Sequence, residues 1–214
     1  MTLWQIRPGL ISGRAAIDGG GGGAVTTTWN PADKSANITL SNGNLTAAIS
    51  ANADSAVRST TSKAAGSGKY YFEVTVTGTL ANTGIGVASP TAVLSSVHNT
   101  VTQAAAAFTG PGSAFINGSN VGFALGGFVT GNVACVAVDL VNNRIWFRRN
   151  AGNWNDSGTA NPATNVGGYS ISALFTSASA YGLVTMGNTA LQDNVNFGAT
   201  AFAQTIPSGF VAWG

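Results

Sequence analysis

The sequence has very little formal charge. Only 7% of its 214 residues are Asp, Glu, Lys or Arg, against about 25% in ordinary globular domains. A net charge of +2 is too small to track a phosphate backbone, which requires a clustered basic face. We therefore expect neither nucleic acid nor another polyanion as a partner, and the surface must be solvated mainly by hydroxyl and amide groups.

Cysteine, histidine and long apolar runs are also scarce. Cys135 is the single cysteine and lies inside an apolar run, so we expect a buried thiol without a disulfide partner. His98 is the single histidine, and because a metal site needs further ligands we predict an ordinary surface residue in a loop. No segment has the apolar core of a secretory signal or the length of a membrane span. We expect no metal, no cofactor and no membrane insertion.

The most informative stretch is a predicted hairpin. Residues 133–140 are almost all apolar and rich in valine, which is typical of a strand buried on both faces. The asparagine pair Asn142-Asn143 tolerates the positive φ of a tight turn. Polar and apolar residues then alternate, with Ile145 and Phe147 on one face.

Short strands separated by glycine and asparagine turns are predicted through the rest of the chain. No stretch shows a sustained helical period, apart from one turn near residues 101–107. Many short strands with glycine punctuation predict an all-β sandwich. The other predicted strands include residues 69–76, 84–88, 114–116, 122–125, 169–175 and 180–186.

The N-terminal residues are predicted to form a separate unit. Residues 1–18 are followed at once by five glycines at 19–23, which are typical of a flexible joint. We expect a docking arm, a glycine hinge and a β-sandwich over residues 24–214. A disordered leader is the alternative, although this segment is more apolar than a disordered tail needs. The predicted docking residues are Trp4, Ile6, Leu10 and Ile11.

Candidate catalytic groups are few. Glycosidases need two carboxylates facing one substrate, and Asp156, the best-placed acid, has no evident second carboxylate. Glu73 and Asp139 lie within or at the ends of predicted strands, where we expect a structural hydrogen-bonding role. No Gly-x-Ser-x-Gly motif accompanies His98. We predict that the chain is not an enzyme and has no catalytic residues.

The loop after the hairpin is the candidate ligand-binding surface. A tryptophan flanked by amides and an arginine pair could stack on a sugar ring and hydrogen-bond its hydroxyls, or could anchor a protein partner. The alternative is that Trp154 folds back and covers the hairpin. The predicted ligand-binding residues are Arg148, Arg149, Asn153, Trp154, Asn155, Asp156, Phe128 and Tyr169.

Several short motifs follow one another along residues 24–214: Gly68-Lys-Tyr-Tyr-Phe-Glu-Val74, Gly84-Ile-Gly-Val-Ala88, Gly131 to Leu140 followed by Ile145-Trp-Phe147, Leu174-Phe175, Asn196-Phe-Gly198 and Pro207-Ser-Gly-Phe210. In this order they resemble the SPRY (B30.2-like) domain. The resemblance implies a bent sandwich of two antiparallel sheets, a recognition surface formed by the loops at one end, and no catalytic residues. Arg149-Asn-Ala-Gly152 stands where Asn-Gly is usual and Leu174-Phe175 lacks the customary proline, so the identity of the partner does not carry over.

The composition is similar in style to that of bacteriophage virion proteins such as head fibres, decoration proteins and tail-fibre tips. By this analogy, we expect a non-enzymatic virion structural protein whose arm docks on other virion proteins. The sandwich would then bind a host-surface glycan or protein. We also expect a homo-oligomer, with a trimer for a fibre. The alternative is a free intracellular protein-binding module.

Overall fold

The computed structural model describes residues 26–77, 83–125, 128–188 and 190–214. Short strands dominate these ranges, as the glycine and asparagine punctuation predicts. The strands are β1 (Trp29–Lys34), β2 (Ile38–Ser41), β3 (Thr46–Ile49), β4 (Ser55–Lys63), β5 (Lys69–Val76), β6 (Thr83–Ala88), β7 (Ala104–Phe108), β8 (Ser113–Ile116), β9 (Ser119–Phe123), β10 (Val133–Asp139), β11 (Arg144–Arg149), β12 (Tyr169–Ser170), β13 (Ala180–Met186), β14 (Gln192–Asn196) and β15 (Val211–Ala212).

The strands form two sheets that pack face to face. One sheet has the order β1-β4-β13-β6-β7-β8-β9, and the other has the order β12-β11-β10-β5-β14-β3-β2. Neighbours along both paths are antiparallel, and β15 adds to β5 in parallel. The predicted all-β antiparallel sandwich is therefore confirmed. The predicted arm (residues 1–18), its docking side chains and the glycine hinge (19–23) lie outside the described residues.

Aromatic side chains fill the space between the sheets. Trp29 meets Phe197 edge to face with ring centroids 5.1 Å apart, and Phe72 meets Trp213 in the same way at 5.5 Å. Such pairs add about 0.5–1.5 kcal/mol to the stabilisation from burial alone. The core of this domain therefore lies between the sheets and needs no disulfide.

Further apolar clusters cover the outer faces of the sheets. On the seven-stranded sheet, a helical turn α1 (Val97–Thr100) packs over β4 and β13. On the other sheet, Trp146 and Phe210 lie in a cluster with Trp154. Every residue of β10 is consequently buried, as the apolar run predicts.

The predicted hairpin is confirmed in its strands and its turn. Val136 of β10 pairs with Phe147 of β11, and Ala137 pairs with Trp146. Asn143 has a φ of 52°, which asparagine tolerates better than most residues. The indole of Trp146 donates a 2.8 Å hydrogen bond to the Val166 carbonyl. The loop that contains Val166, rather than solvent, therefore covers the face of β11 on which Trp146 lies.

Three local predictions are wrong. Residues 104–108 form a buried strand and the helical turn precedes them, because sheet packing overrides the helix propensity of the alanine run. The strand predicted over 169–175 ends at Ser170, and a second helical turn, α2 (Ser172–Phe175), buries Leu174 and Phe175. His98 is buried rather than exposed, since α1 packs it against the sheet.

Helices are short throughout the described ranges. Both α1 and α2 have four residues. Neither these nor any other helix in the described ranges is long and apolar enough to cross a membrane.

Candidate functional site

The end of the hairpin away from its turn is closed by Asn150. Its side-chain oxygen accepts a 2.8 Å hydrogen bond from the Val133 amide, and its own amide donates one of 2.8 Å to the Val133 carbonyl. Asn150 itself has a φ of 48°. The chain therefore leaves β11 sharply and turns into the loop that carries the predicted ligand-binding residues.

Trp154 folds back onto the hairpin. Of the two alternatives for this loop, an exposed Trp154 and one that covers the hairpin, the structure has the second. Only 8% of its surface is exposed. The guanidinium carbon of Arg148 lies 4.4 Å from the centroid of the Trp154 rings. Arg148 is fixed in turn by a 2.6 Å hydrogen bond from Nη2 to the Thr205 carbonyl. The indole therefore presents no open face on which a sugar ring could stack.

Asn155 has a structural position. Its Oδ1 accepts a 2.9 Å hydrogen bond from the Phe147 amide, and its Nδ2 donates one of 2.8 Å to the Gly167 carbonyl. These bonds tie the strand β11 to the loop before β12. Because both ends of the amide are occupied and the residue is buried, it is not free to contact a ligand.

Phe128 and Tyr169 also lie largely inside. Phe128 belongs to the core between the sheets. The half-buried Tyr169 donates a 2.6 Å hydrogen bond from its hydroxyl to the Phe123 carbonyl. Burial raises the pKa of the Tyr169 phenol, and the nearby charge of Asp156 adds to the shift. The phenol thus remains a hydrogen-bond donor.

The structure brings three of the predicted residues together at the surface. Arg149, Asn153 and Asp156 line a depression of about 50 Å³ together with Ala124 and Gly152. A cation, an amide and a carboxylate thus surround a hollow much smaller than the roughly 300–1,000 Å³ of usual small-molecule pockets. The arrangement can form directional hydrogen bonds and ion pairs in a shallow depression, but it cannot enclose a ligand.

The buried carboxylates of Glu73 and Asp139 act as structural hydrogen-bond acceptors. Glu73 accepts from the Tyr71 hydroxyl at 2.7 Å and from the amides of Ala203 and Gln204 at 2.8 Å. Asp139 accepts from the amides of Val141 and Asn142 at 2.9 Å. Neither carboxylate lines the depression that holds Asp156, so that depression does not contain the two-carboxylate arrangement of a glycosidase.

Asp139 remains charged at neutral pH. Burial alone would raise the pKa of its carboxyl, but hydrogen bonds from Asn142 and Lys69 outweigh burial and hold the pKa below its usual value. The Lys69 ammonium lies 3.2 Å from Asp139 Oδ2. The pair therefore anchors the start of β5 to the end of β10.

Metal-binding and thiol chemistry find no support in the described ranges. No group of three His, Cys, Asp or Glu side chains there could hold a metal ion. Cys135 is buried and free, and burial raises the pKa of its thiol. A buried thiol of this kind is a poor nucleophile.

Sequence reasoning missed a larger cavity elsewhere. A hollow of about 180 Å³ opens on the outer face of the seven-stranded sheet. The apolar residues Val97 and Val101 on either side of His98 were the available signal that this segment packs against the sheet. The lining residues are His98, Asn99, Val101, Phe108, Pro111 and Phe115.

Comparison with solved structures shows the fold. The SPRY domain of human HERC1 superposes with a TM-score of 0.63 at 14% identity, covering 81% of this chain and 99% of that one. The chain has the SPRY fold. A human SPRY domain (TM-score 0.55, 14% identity, 77% and 98% coverage) and the TRIM65 PSpry domain (0.55, 15%, 80% and 92%) are also similar. No protein-family model and no curated protein matches the chain.

Proposed function

We propose that the chain is a non-enzymatic binding module that recognises another protein through the surface formed by Arg149, Asn153 and Asp156. One observation carries the proposal: these three side chains surround a depression of about 50 Å³ at the end of the hairpin. A shallow surface with both signs of charge suits a protein partner, whose side chains can pair with it individually. The SPRY fold, whose loop end is a recognition surface in the family that the sequence resembles, supports the same conclusion.

A protein partner fits this surface better than a glycan. Sugar recognition at this loop would depend on an open aromatic face, and Trp154 is covered by Arg148. The polar side chains that line the depression are instead two charged groups and an amide. They suit backbone amides and charged side chains of a partner more than the apolar face of a sugar.

Within this function, we propose that the chain is a virion component. The low charge, the abundance of small polar residues and the glycine run at 19–23 support this context by analogy of composition. Residues 1–18 would dock on other virion proteins, and the sandwich would be displayed outward for a host-surface protein.

The test places a photo-crosslinking amino acid in the full chain. At Asn153 the probe lies on the proposed surface, and at Val141, which is exposed at the hairpin turn, it serves as the matched control. Each protein is incubated with host cells and with purified particles, and the crosslinked species is identified by mass spectrometry. A protein captured only from the 153 position supports the recognition surface, and its loss in Arg149→Ala/Asp156→Ala confirms that the charged pair contributes.

The other outcomes of the crosslinking experiment would each change the proposal. Crosslinking to a protease-resistant polysaccharide would replace the protein partner by a glycan. Equal capture from both positions, or none from position 153, would remove the proposed surface. Immunogold labelling of particles separately tests the context: gold on capsids or tail tips supports the virion, and unlabelled particles favour a free intracellular module.

A further inference from the structure

One half of the seven-stranded sheet is free of charge. Between Glu73 and Asp139 the sequence contains no Asp, Glu, Lys or Arg, although such residues make up 7% of the chain. This stretch supplies β6, β7, β8 and β9, which lie side by side at one end of the sheet. Depletion of charge is typical of the central part of protein interfaces and not of free surfaces.

An exposed aromatic side chain stands on the edge of this uncharged region. Phe123 ends the edge strand β9 and is 62% exposed. It pairs with Ser113 of β8, and residues paired across strands lie on the same face. Since strand residues alternate, Phe123 shares that face with Phe115. A single exposed phenylalanine needs no explanation by itself, but this one adjoins a hollow that is lined by both aromatic and polar side chains.

The hollow is the cavity of about 180 Å³ on the outer face of β7 and β8. Its lining includes three aromatic rings: Phe108 contacts His98 and Phe115 edge to face, with centroids 5.3 and 5.6 Å apart. Gly112, next to the lining residue Pro111, lies close to the Phe123 ring. The exposed ring and the hollow are therefore neighbours, and no Asp, Glu, Lys or Arg lines the hollow.

The other sheet edges are protected by charge. The edge strand β1 carries Asp33 and Lys34, and Lys34 Nζ also donates a 2.7 Å hydrogen bond to the Ile38 carbonyl at the start of edge strand β2. The short β12 is preceded by Gly168, whose carbonyl accepts from Arg144 at 2.9 Å. Lysine and other charges on edges prevent pairing with another chain. Edge strand β9 has no such protection.

We propose that two copies of the chain associate through this surface, with Phe123 of each copy entering the cavity beside His98 and Phe115 of the other. A second copy is the occupant because it supplies both parts of the contact. These are the exposed, uncharged ring of Phe123, which we call the knob, and the hollow, which no Asp, Glu, Lys or Arg lines. The adjacency of knob and hollow allows a two-fold axis, in which each contact is made twice. The contact uses the hollow on β7 and β8 and not the depression at Arg149, although Ala124, the residue after Phe123, lines that depression. It gives the expected homo-oligomer a specific interface.

The first test measures association of the full chain by sedimentation velocity over about 1 μM to 1 mM. Phe123→Ser should weaken association at least about tenfold, because aromatic anchors dominate interface energies. Val141→Ser is the matched control, since it also removes an exposed apolar side chain, and it should leave association unchanged. Arg149→Ala/Asp156→Ala should also associate as the unaltered chain does, which separates this test from that of the proposed function.

A complementation experiment tests the contact itself. Phe123→Asp alters the knob and Asn99→Lys alters the exposed rim of the hollow. Each variant alone should be impaired in association, while an equimolar mixture should recover a dimer in which the introduced aspartate and lysine pair. An unaltered chain that stays monomeric over the whole range, an oligomer insensitive to Phe123→Ser, or a mixture that associates no better than its components would overturn the proposal.

Discussion

The Tyr169 hydroxyl donates a 2.6 Å hydrogen bond to the carbonyl oxygen of Phe123. This bond joins β12 to β9, so it connects the edge strands of the two sheets on one side of the sandwich. Asp156 lies near enough to raise the pKa of the same phenol. The bond therefore links the proposed recognition surface to the strand that carries the proposed self-association contact.

Removing the Tyr169 hydroxyl should loosen this connection. We expect Tyr169→Phe to lower the free energy of unfolding by about 1 kcal/mol, the usual net value of one hydrogen bond, and to speed amide exchange around residues 119–125. Tyr70→Phe is the control, because the Tyr70 hydroxyl donates only to Ser67 within an exposed turn. Chemical denaturation and hydrogen exchange provide the measurements. Equal effects of the two substitutions would contradict a special role for the inter-sheet bond.

Asp193 should make stability depend on pH. It is completely buried, neither carboxylate oxygen has a hydrogen-bond partner in the described part of the chain, and burial raises its pKa to about 7. The Thr83 hydroxyl opposes this shift but makes no well-formed hydrogen bond. In the unfolded chain the pKa is about 3.9. The folded state therefore holds the proton more tightly, so the free energy of unfolding should fall as pH rises from about 4 to 7 and then level off.

Replacing the Asp193 carboxyl by an amide should abolish this pH dependence. Asp193→Asn should be more stable than the unaltered chain at pH 8, by on the order of 4 kcal/mol for a shift of about three pKa units, and about equally stable at pH 4. Asp156→Asn, the same change at an exposed position, should show no such divergence. Urea denaturation at several pH values measures both. A difference between Asp193→Asn and the unaltered chain that stays constant from pH 4 to 8 would refute the elevated pKa.

Glu73 should be needed to hold the C-terminal loop on the sheet. Its carboxylate accepts three hydrogen bonds, from Tyr71, Ala203 and Gln204. Glu73→Ala leaves these donors without partners, so we expect a loss of about 2–4 kcal/mol in the free energy of unfolding, and faster proteolysis near residue 203. Glu73→Gln keeps the shape and an acceptor oxygen and should lose less. An alanine variant as stable as the glutamine variant would contradict this role.

The fold could be predicted because its signals are local. The valine-rich run of β10 and the asparagine turn after it specify a central hairpin by residue type and period alone. The alanines of β7 could not be assigned in this way. A carbon atom at Cβ of Gly86 would lie 1.9 Å from the Ala105 carbonyl oxygen, so only glycine fits at position 86, and this close approach of β6 to β7 depends on a partner strand that a local pattern does not reveal.

The candidate site was predictable only as a region. Sequence proximity placed Arg149, Asn153 and Asp156 in one loop, and the structure brings them around one depression. The sequence could not show that Trp154 and Asn155 turn inward, because that orientation depends on hydrogen-bond partners at residues 147, 167 and 205. Burial of His98 likewise depends on the Thr185 hydroxyl, which lies 3.0 Å from its Nδ1 and far away in sequence.

The contact between Arg148 and Trp154 should be energetically coupled. The guanidinium lies 4.4 Å from the ring centroid, and partly desolvated cation–π pairs contribute about 0.5–2 kcal/mol. In a double-mutant cycle of Arg148→Ala and Trp154→Leu we expect a coupling energy in that range, measured by chemical denaturation. Arg148→Lys should not restore the coupling energy fully, because lysine loses the planar stacking group.

Arg148→Ala should also increase acrylamide quenching of tryptophan fluorescence, since Trp29, Trp146 and Trp213 are fully buried and Trp154 would become accessible. Additive losses together with unchanged quenching would mean that Arg148 does not shield the ring, which would reopen sugar stacking at this loop.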